Sequence, residues 1–240
     1  MPTDHHSADP SPLPPLEEKT EVVRSMFDAI APRYELVNRV MTFGLDASWR
    51  RRTVSSLGLP PGSLVLDLAC GTGDLSRTAA AHGLRPIGAD LSFGMLSASH
   101  DTGPLVHADA AALPLADASV DGLLCGYALR NFTDLPRCLG EMARVVRPGG
   151  RISLLEVGAP ESTLIGLGYR LWFERIVPVI GGLLSDRAAY RYLPASTAYL
   201  PEPAALRNML LAAGFSGVNH HHLSGGLSQL ITATRGSHAA

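Results

Sequence analysis

Residues 64–76 read LVLDLACGTGDLS. An apolar run of strand character leads into Asp67, and Gly71-Thr72-Gly73 then turns the chain into a helix opening near Asp74. Glycines at such a turn let the backbone reverse sharply and let a ligand approach the exposed amides closely. A GxG pair alone is shared by several ligand classes, so its surroundings decide. The dinucleotide fingerprint needs Gly or Ala at the sixth position, where Ser76 stands, and the GxxxxGKS/T pattern of a P-loop is missing. Asp67 and Asp74 flank the turn and would repel a phosphate. The turn suits a cationic ligand.

Outward from this turn, strand-like runs recur at 64–69, 86–90, 104–108, 120–127 and 151–157, with helical stretches at 73–82, 92–99 and 134–146. Such alternation predicts a Rossmann-like α/β fold, a mostly parallel sheet with helices on both faces. A helix over 203–213 and close strands near 217–223 and 227–234 predict an antiparallel pair at one edge. Pro148 is expected to stop the helix before the fifth strand, with Gly149-Gly150 turning the chain. Upstream, Val22, Val23, Met26, Phe27 and Ile30, then Leu36, Val37, Val40 and Met41, recur at helical spacing. They predict a helical cap over 18–60, broken at Pro32 and Gly44. Residues 1–17 read as a disordered Pro-rich tail, and 18–240 as a single domain.

The stretch 158–200 departs from this rhythm. It holds ESTLIGLGYRLWFERIVPVIGGLL, whose longest uncharged apolar run, 176–184, is far shorter than the ~20 residues of a membrane span. Its place after a strand of an open sheet is where lids are built. Trp172 there is a candidate contact for an acceptor, and the arginines beside it suit a peripheral membrane contact.

Composition narrows the classes. The 240 residues are 46% hydrophobic and 18% charged, enough for one domain with a sizeable core. A formal net charge of −2 supplies no field for nucleic acid. The Asn/Asp-Pro-Pro-Tyr motif of exocyclic-amine methylation is missing after the fourth strand, where GYALRN stands. Three cysteines without a CxxC spacing, and His5-His6 alone, ask for neither a disulfide framework nor a metal. The first fifteen residues carry no apolar core of signal-peptide length, so a cytoplasmic protein is expected.

Further acids complete the ligand reading. Asp90, nineteen residues after Gly71, ends the second strand, where a carboxylate accepts both hydroxyls of a ribose. Asp109 ends the third and can take an adenine amino group, while small Ala110 leaves room for the ring. Acidic ends on three consecutive strands fit S-adenosylmethionine, which has an ammonium and a sulfonium and no phosphate. Asp67, Gly71, Gly73, Asp90, Asp109 and Ala110 are its candidate contacts.

The segments MFDAIAPRYELVNRVMTFGLDASWRR (26–51), DAAALPLADASVDGLLCGYALRNFTD (109–134), RVVRPGGRISLLEVGAPES (144–162) and YRYLPASTAYLPEPAALRNMLLAAGF (190–215) carry a resemblance, as does the SGGL ending at 224–227. Together they resemble the ubiquinone/menaquinone-biosynthesis C-methyltransferases, collinearly over roughly 22–235. The resemblance implies a seven-stranded class I methyltransferase sheet and donor contacts at Thr72, Asp90, Asp109 and Ala110. It also implies methyl transfer to a ring carbon of a polyprenylated quinol, often demethylmenaquinol. The chain departs from the family pattern at Glu35, Val37, Thr42, Asp46, Gly126 and Gly158. Gly126, a further candidate donor contact, stands where a donor-contacting serine is usual, Gly158 where another serine follows the fifth-strand Glu. Another small aromatic or polyketide-like acceptor stays open on these departures, as does a homodimer.

A neutral quinol carbon is a poor nucleophile until a hydroxyl proton of pKa near the ~10 of tyrosine is removed. Leu129-Arg130-Asn131, just past the fourth strand, lies where acceptors dock. Arg130 cannot easily act as a base, since a guanidinium keeps its proton in proteins. It is assigned to stabilise the quinolate, with Asn131 orienting the acceptor; structural pairing with an acid is the alternative. Tyr34 and Asn38 are expected either to close the pocket or to pack helices.

Overall fold

The computed structural model describes residues 13–100, 103–158, 160, 192 and 195–237. Three helices open it: α1 (Leu16–Ile30), α2 (Tyr34–Met41) and α3 (Asp46–Ser56). The breaks fall where proline and glycine predict them. A 3-10 turn over Ala31–Arg33 holds Pro32, and Phe43 and Gly44 follow α2 with φ of 52° and 73°. The helix starts at Leu16, so the last two residues of the expected tail are helical, with Glu17 and Glu18 in the first turn where the helix dipole favours acid.

Seven strands follow: β1 (Leu64–Leu68), β2 (Arg85–Asp90), β3 (Leu105–His107), β4 (Val120–Gly126), β5 (Val146–Val157), β6 (Phe215–Leu223) and β7 (Ser228–Arg235). Their order is β3-β2-β1-β4-β5-β7-β6. The first five are parallel, and β7 runs antiparallel to both β5 and β6. Strand order reverses between β1 and β4, which opens a ligand crevice at their carboxyl ends.

Alternation along the central strands assigns the layers. Leu66, Leu68 and Leu123 belong to the core shared with α6 (Leu135–Val145) and α7 (Pro203–Ala212). Val65 and Leu124 belong to a second core, shared with α3 and α4 (Asp74–Ala81). The cap has its own small core, where Ile30, Ala31, Val37 and Met41 pack on Met95 of α5 (Phe93–Ser97).

One boundary differs from the expectation. The helix ends at Val145, three residues before Pro148, and β5 begins at once. Val146 pairs with Val120 and the ladder resumes only at Arg151 opposite Gly122. Proline has no amide to give a ladder, so Arg147-Pro148-Gly149-Gly150 bulge out of it. A side chain at Gly150 would meet the Asp121 carbonyl at 2.7 Å. Of the expected lid, Trp172 and most of 159–194 lie outside the described residues.

Candidate active site

The turn after β1 is built from left-handed backbone: Ala69 has φ 54°, Gly71 55° and Gly73 88°, the last capping α4. The Gly71 amide donates to Asp90 Oδ2 at 2.8 Å and the Ser92 amide to Asp90 Oδ1 at 2.8 Å. The carboxylate that ends β2 thus braces the glycine turn. Burial pushes its carboxyl above the usual carboxylate range, against the opposing pull of the Ser92 and Gly71 amides. Asp109, exposed past β3, accepts from the Ala111 amide at 2.8 Å, and Ala110 beside it is buried. Gly71, Asp90, Asp109, Ala110 and Gly126 line one cavity. Two acids and a glycine turn in its wall fit a cationic nucleoside and would disfavour a pyrophosphate.

The other wall is the cap. Thr20, Val23, Arg24 and Phe27 of α1 face the cavity. Asp28 hooks the end of α1 to the loop after β2, accepting from Ser92 Oγ at 2.6 Å and the Gly94 amide at 2.8 Å. Lys19, the only lysine of the chain, fastens its start. Its Nζ donates to the Phe132 carbonyl at 3.1 Å and sits 3.9 Å from the ring centre of Tyr199. Burial lowers its pKa to about 8.

Tyr34, Tyr127 and Asn131 also line the cavity. Burial raises the Tyr34 pKa, and its hydroxyl bonds the Asn38 side chain one turn on. Asn38 does not line the cavity. Tyr127 holds φ 59°, a conformation costly for an aromatic residue. Asn131 Oδ1 accepts from the Tyr192 hydroxyl at 3.2 Å, and burial has pushed that phenol up to about 12.

Arg130 points elsewhere. Its side chain is 6% exposed and pairs with Glu156, which is fully buried at the end of β5. It also donates to Ser196 Oγ at 3.1 Å and to the Tyr127 carbonyl at 2.8 Å. The guanidinium therefore clamps the left-handed turn at Tyr127 from behind and does not line the cavity. Nor do Asp67, Thr72 and Gly73. Asp67 shares the β1 face of Val65 and accepts from Ser76 Oγ of α4 at 2.7 Å. Thr72 is buried, its carbonyl taken by Arg77 at 2.8 Å.

The departures from the family pattern have packing reasons. Thr42 Oγ1 donates to Asp46 Oδ1 at 3.0 Å, and Asp46 pairs with Arg50. Arg50 reaches Asp74 at 2.7 Å, Asp74 reaches Arg77, and Arg77 closes on Glu35 at 2.8 Å. Thr42, Asp46 and Glu35 are members of one charge ladder that ties α2 and α3 to α4. At Gly158 any side chain would collide with the carbonyl of Gly226. At Gly126 a Cβ would meet the flexible Leu75 side chain at 2.7 Å, and this departure alone borders the cavity.

Residues 16–235 match the ubiE/COQ5 methyltransferase family. The chain belongs to that family. It is 41% identical over 220 residues to a demethylmenaquinone methyltransferase of Thermus thermophilus, covering 88% of this chain and all of that one. It is 37% identical to a ubiquinone/menaquinone biosynthesis C-methyltransferase of Geotalea daltonii, covering 92% and 99%. Among solved structures, an S-adenosylmethionine-dependent methyltransferase of Thermotoga maritima superposes with a TM-score of 0.61 at 23% identity, covering 88% and 98%. A Haemonchus contortus phosphoethanolamine N-methyltransferase in complex with S-adenosyl-L-methionine gives 0.57 at 15% identity, covering 78% and 52%. These two establish the class I methyltransferase fold.

For this family member, reading the sequence alone missed the α1 wall, the Glu156 partner and the strain at Tyr127. One signal was available: a single lysine among twenty basic residues marks a place where arginine does not serve.

Proposed function

We propose that this chain transfers a methyl group from S-adenosylmethionine to a ring carbon of demethylmenaquinol. The observation that carries it is the cavity lined by Gly71, Asp90 and Asp109 together with Tyr34 and Asn131, in a chain about 40% identical to demethylmenaquinone methyltransferases. The donor supplies an electrophilic methyl on sulfur. Asp90 accepts the ribose hydroxyls with the lone pairs its two amides leave free, and Ala110 leaves room for the adenine above Asp109. Val23 and Phe27 dry the cavity from the cap side, so donor and carbon meet without competing water.

Asn131 and Tyr34 orient the acceptor hydroxyl. Arg130 acts through Tyr127, whose backbone it holds, and touches no substrate. With a hydroxyl pKa near 10, only about a thousandth of the quinol is ionised at pH 7. The rate of transfer therefore rises with pH toward that value. A polyprenyl tail needs a lipid contact, so the chain works as a peripheral protein on the cytoplasmic face of the membrane. No helix among the described residues is long and apolar enough to cross it. Since Thr42, Asp46, Glu35 and Gly158 are explained by packing, they lend no support to a different aromatic acceptor.

Anaerobic single-turnover assays test this. Methylation of demethylmenaquinol, with none of the oxidised quinone, is the expected result. Equal methylation of the quinone, or transfer only to an untailed aromatic, would overturn it.

A further inference from the structure

The α2 helix has two faces of different use. Inward, Val37 and Met41 are buried against Met95, and Tyr34 lines the cavity. Outward, Leu36, Val40 and Phe43 follow one another at helical spacing. Leu36 is 55% exposed and Phe43 70%, with Leu45 beyond them at 37%. Phe43 projects from a left-handed turn that the Phe43 amide to Val40 carbonyl and Gly44 amide to Arg39 carbonyl bonds close at 3.2 and 2.9 Å.

The charge around this stripe is one-sided. Residues 33–52 hold five arginines and two carboxylates in a chain of net charge −2. Both acids are already engaged, Glu35 by Arg77 and Asp46 by Arg50. Arg39, Arg51 and Arg52 are exposed and form no ion pair among the described residues. Phe93, also exposed, leans on the His107 ring and stands beside Gly94, whose amide Asp28 holds.

We infer that the outer face of α2 and the α2–α3 turn dock on an anionic lipid surface. Leu36, Phe43 and Leu45 enter the headgroup boundary, and Arg39, Arg51 and Arg52 meet lipid phosphates. A second copy is a poor fit, because a two-fold contact would press this basic patch against itself. Docking here would leave Tyr34 one helix diameter, about 10 Å, from lipid. What the docking is for rests on the proposed tailed acceptor; the docking itself rests on exposure and charge.

Flotation of the full chain with vesicles tests it in the absence of quinol. Vesicles containing phosphatidylglycerol should carry the protein and release it at high salt; pure phosphatidylcholine should not. Leu36→Ser with Phe43→Ser should weaken binding at least tenfold, and each of Arg39→Ala, Arg51→Ala and Arg52→Ala about fivefold, the effect of one basic residue at an anionic surface. Leu211→Ser, an exposed leucine on α7, should change nothing. All variants should keep wild-type unfolding temperatures and turnover on a tail-less quinol. Wild-type flotation by the Leu36/Phe43 double variant, binding indifferent to lipid charge, or a dimer in sedimentation that this double variant dissolves would each overturn the assignment. Vesicle binding without turnover of any quinol would refute the proposed function and leave the docking surface standing.

Discussion

Replacing Arg130 by alanine removes a cation from a place that water does not reach. Glu156 is fully buried, and without the guanidinium its carboxylate keeps, among the described residues, only backbone amides, that of Val157 at 2.9 Å and that of residue 130 at 3.5 Å. Breaking a buried pair from one side costs about 3–5 kcal/mol. In a chain of this size each kcal/mol shifts the unfolding temperature by about 2–4 °C, so Arg130→Ala should unfold roughly 6–20 °C below wild type. Glu156→Gln should cost a comparable amount, by stranding the guanidinium instead. Arg130→Met combined with Glu156→Gln should cost less than the two single changes together, because no uncompensated charge remains. Thermal unfolding and urea titration of the four proteins read this directly. An Arg130→Ala protein that melts with wild type yet has lost turnover would refute the clamp and return the guanidinium to the acceptor.

Asp90→Ala should weaken S-adenosylmethionine by about 1.5–3 kcal/mol, ten- to a hundredfold in calorimetry, since ribose acceptor and turn brace go together; unchanged affinity would remove Asp90 from the site. Gly158→Ser, which restores the residue usual in the family, should destabilise by about 1–3 kcal/mol through its collision with Gly226, and a neutral effect on the urea midpoint would contradict the packing explanation. Lys19 binds its proton less tightly folded, at about 8, than in its ordinary range at 10.5. Between those values the unfolded chain holds more protons, so stability should rise with pH across pH 8 to 10.5. Lys19→Met should flatten that rise, and identical pH profiles for the two proteins would show the lysine titrating normally.

How far the sequence carried the fold depended on periodicity. The βαβ rhythm and the cap are local patterns, and every strand and helix expected in the described residues is present within a few positions. The misplaced boundary at Pro148 came from treating proline as a helix stop when it marked a bulge. At the site, which acid ends which strand was legible, and so was the glycine turn. Direction was not. Asp67 sits at a strand position whose side chain faces α4, and this parity is known only once the layers are assigned. Arg130 and Asn131 are neighbours in sequence, but a 3-10 turn sends one to Glu156 and the other to the cavity. The wall made by α1 was illegible for another reason. Its apolar stripe reads the same whether it covers a sheet or a ligand.

The position of β7 between β5 and β6 bears on how the molecule is made. During synthesis β6 emerges before β7, yet among the described residues its only strand partner is β7. Until residues 228–235 exist, β6 has no ladder to join and the outer edge of β5 lies open. The same late strand carries Ser228, whose hydroxyl donates to the Glu156 carbonyl at 2.8 Å and lies 3.2 Å from the Tyr127 hydroxyl. A nascent chain with its glycine turn already formed therefore lacks the support beside Tyr127, and it carries a bare parallel edge able to pair with other chains. Vectorial synthesis thus completes the glycine turn early and the brace behind Tyr127 last.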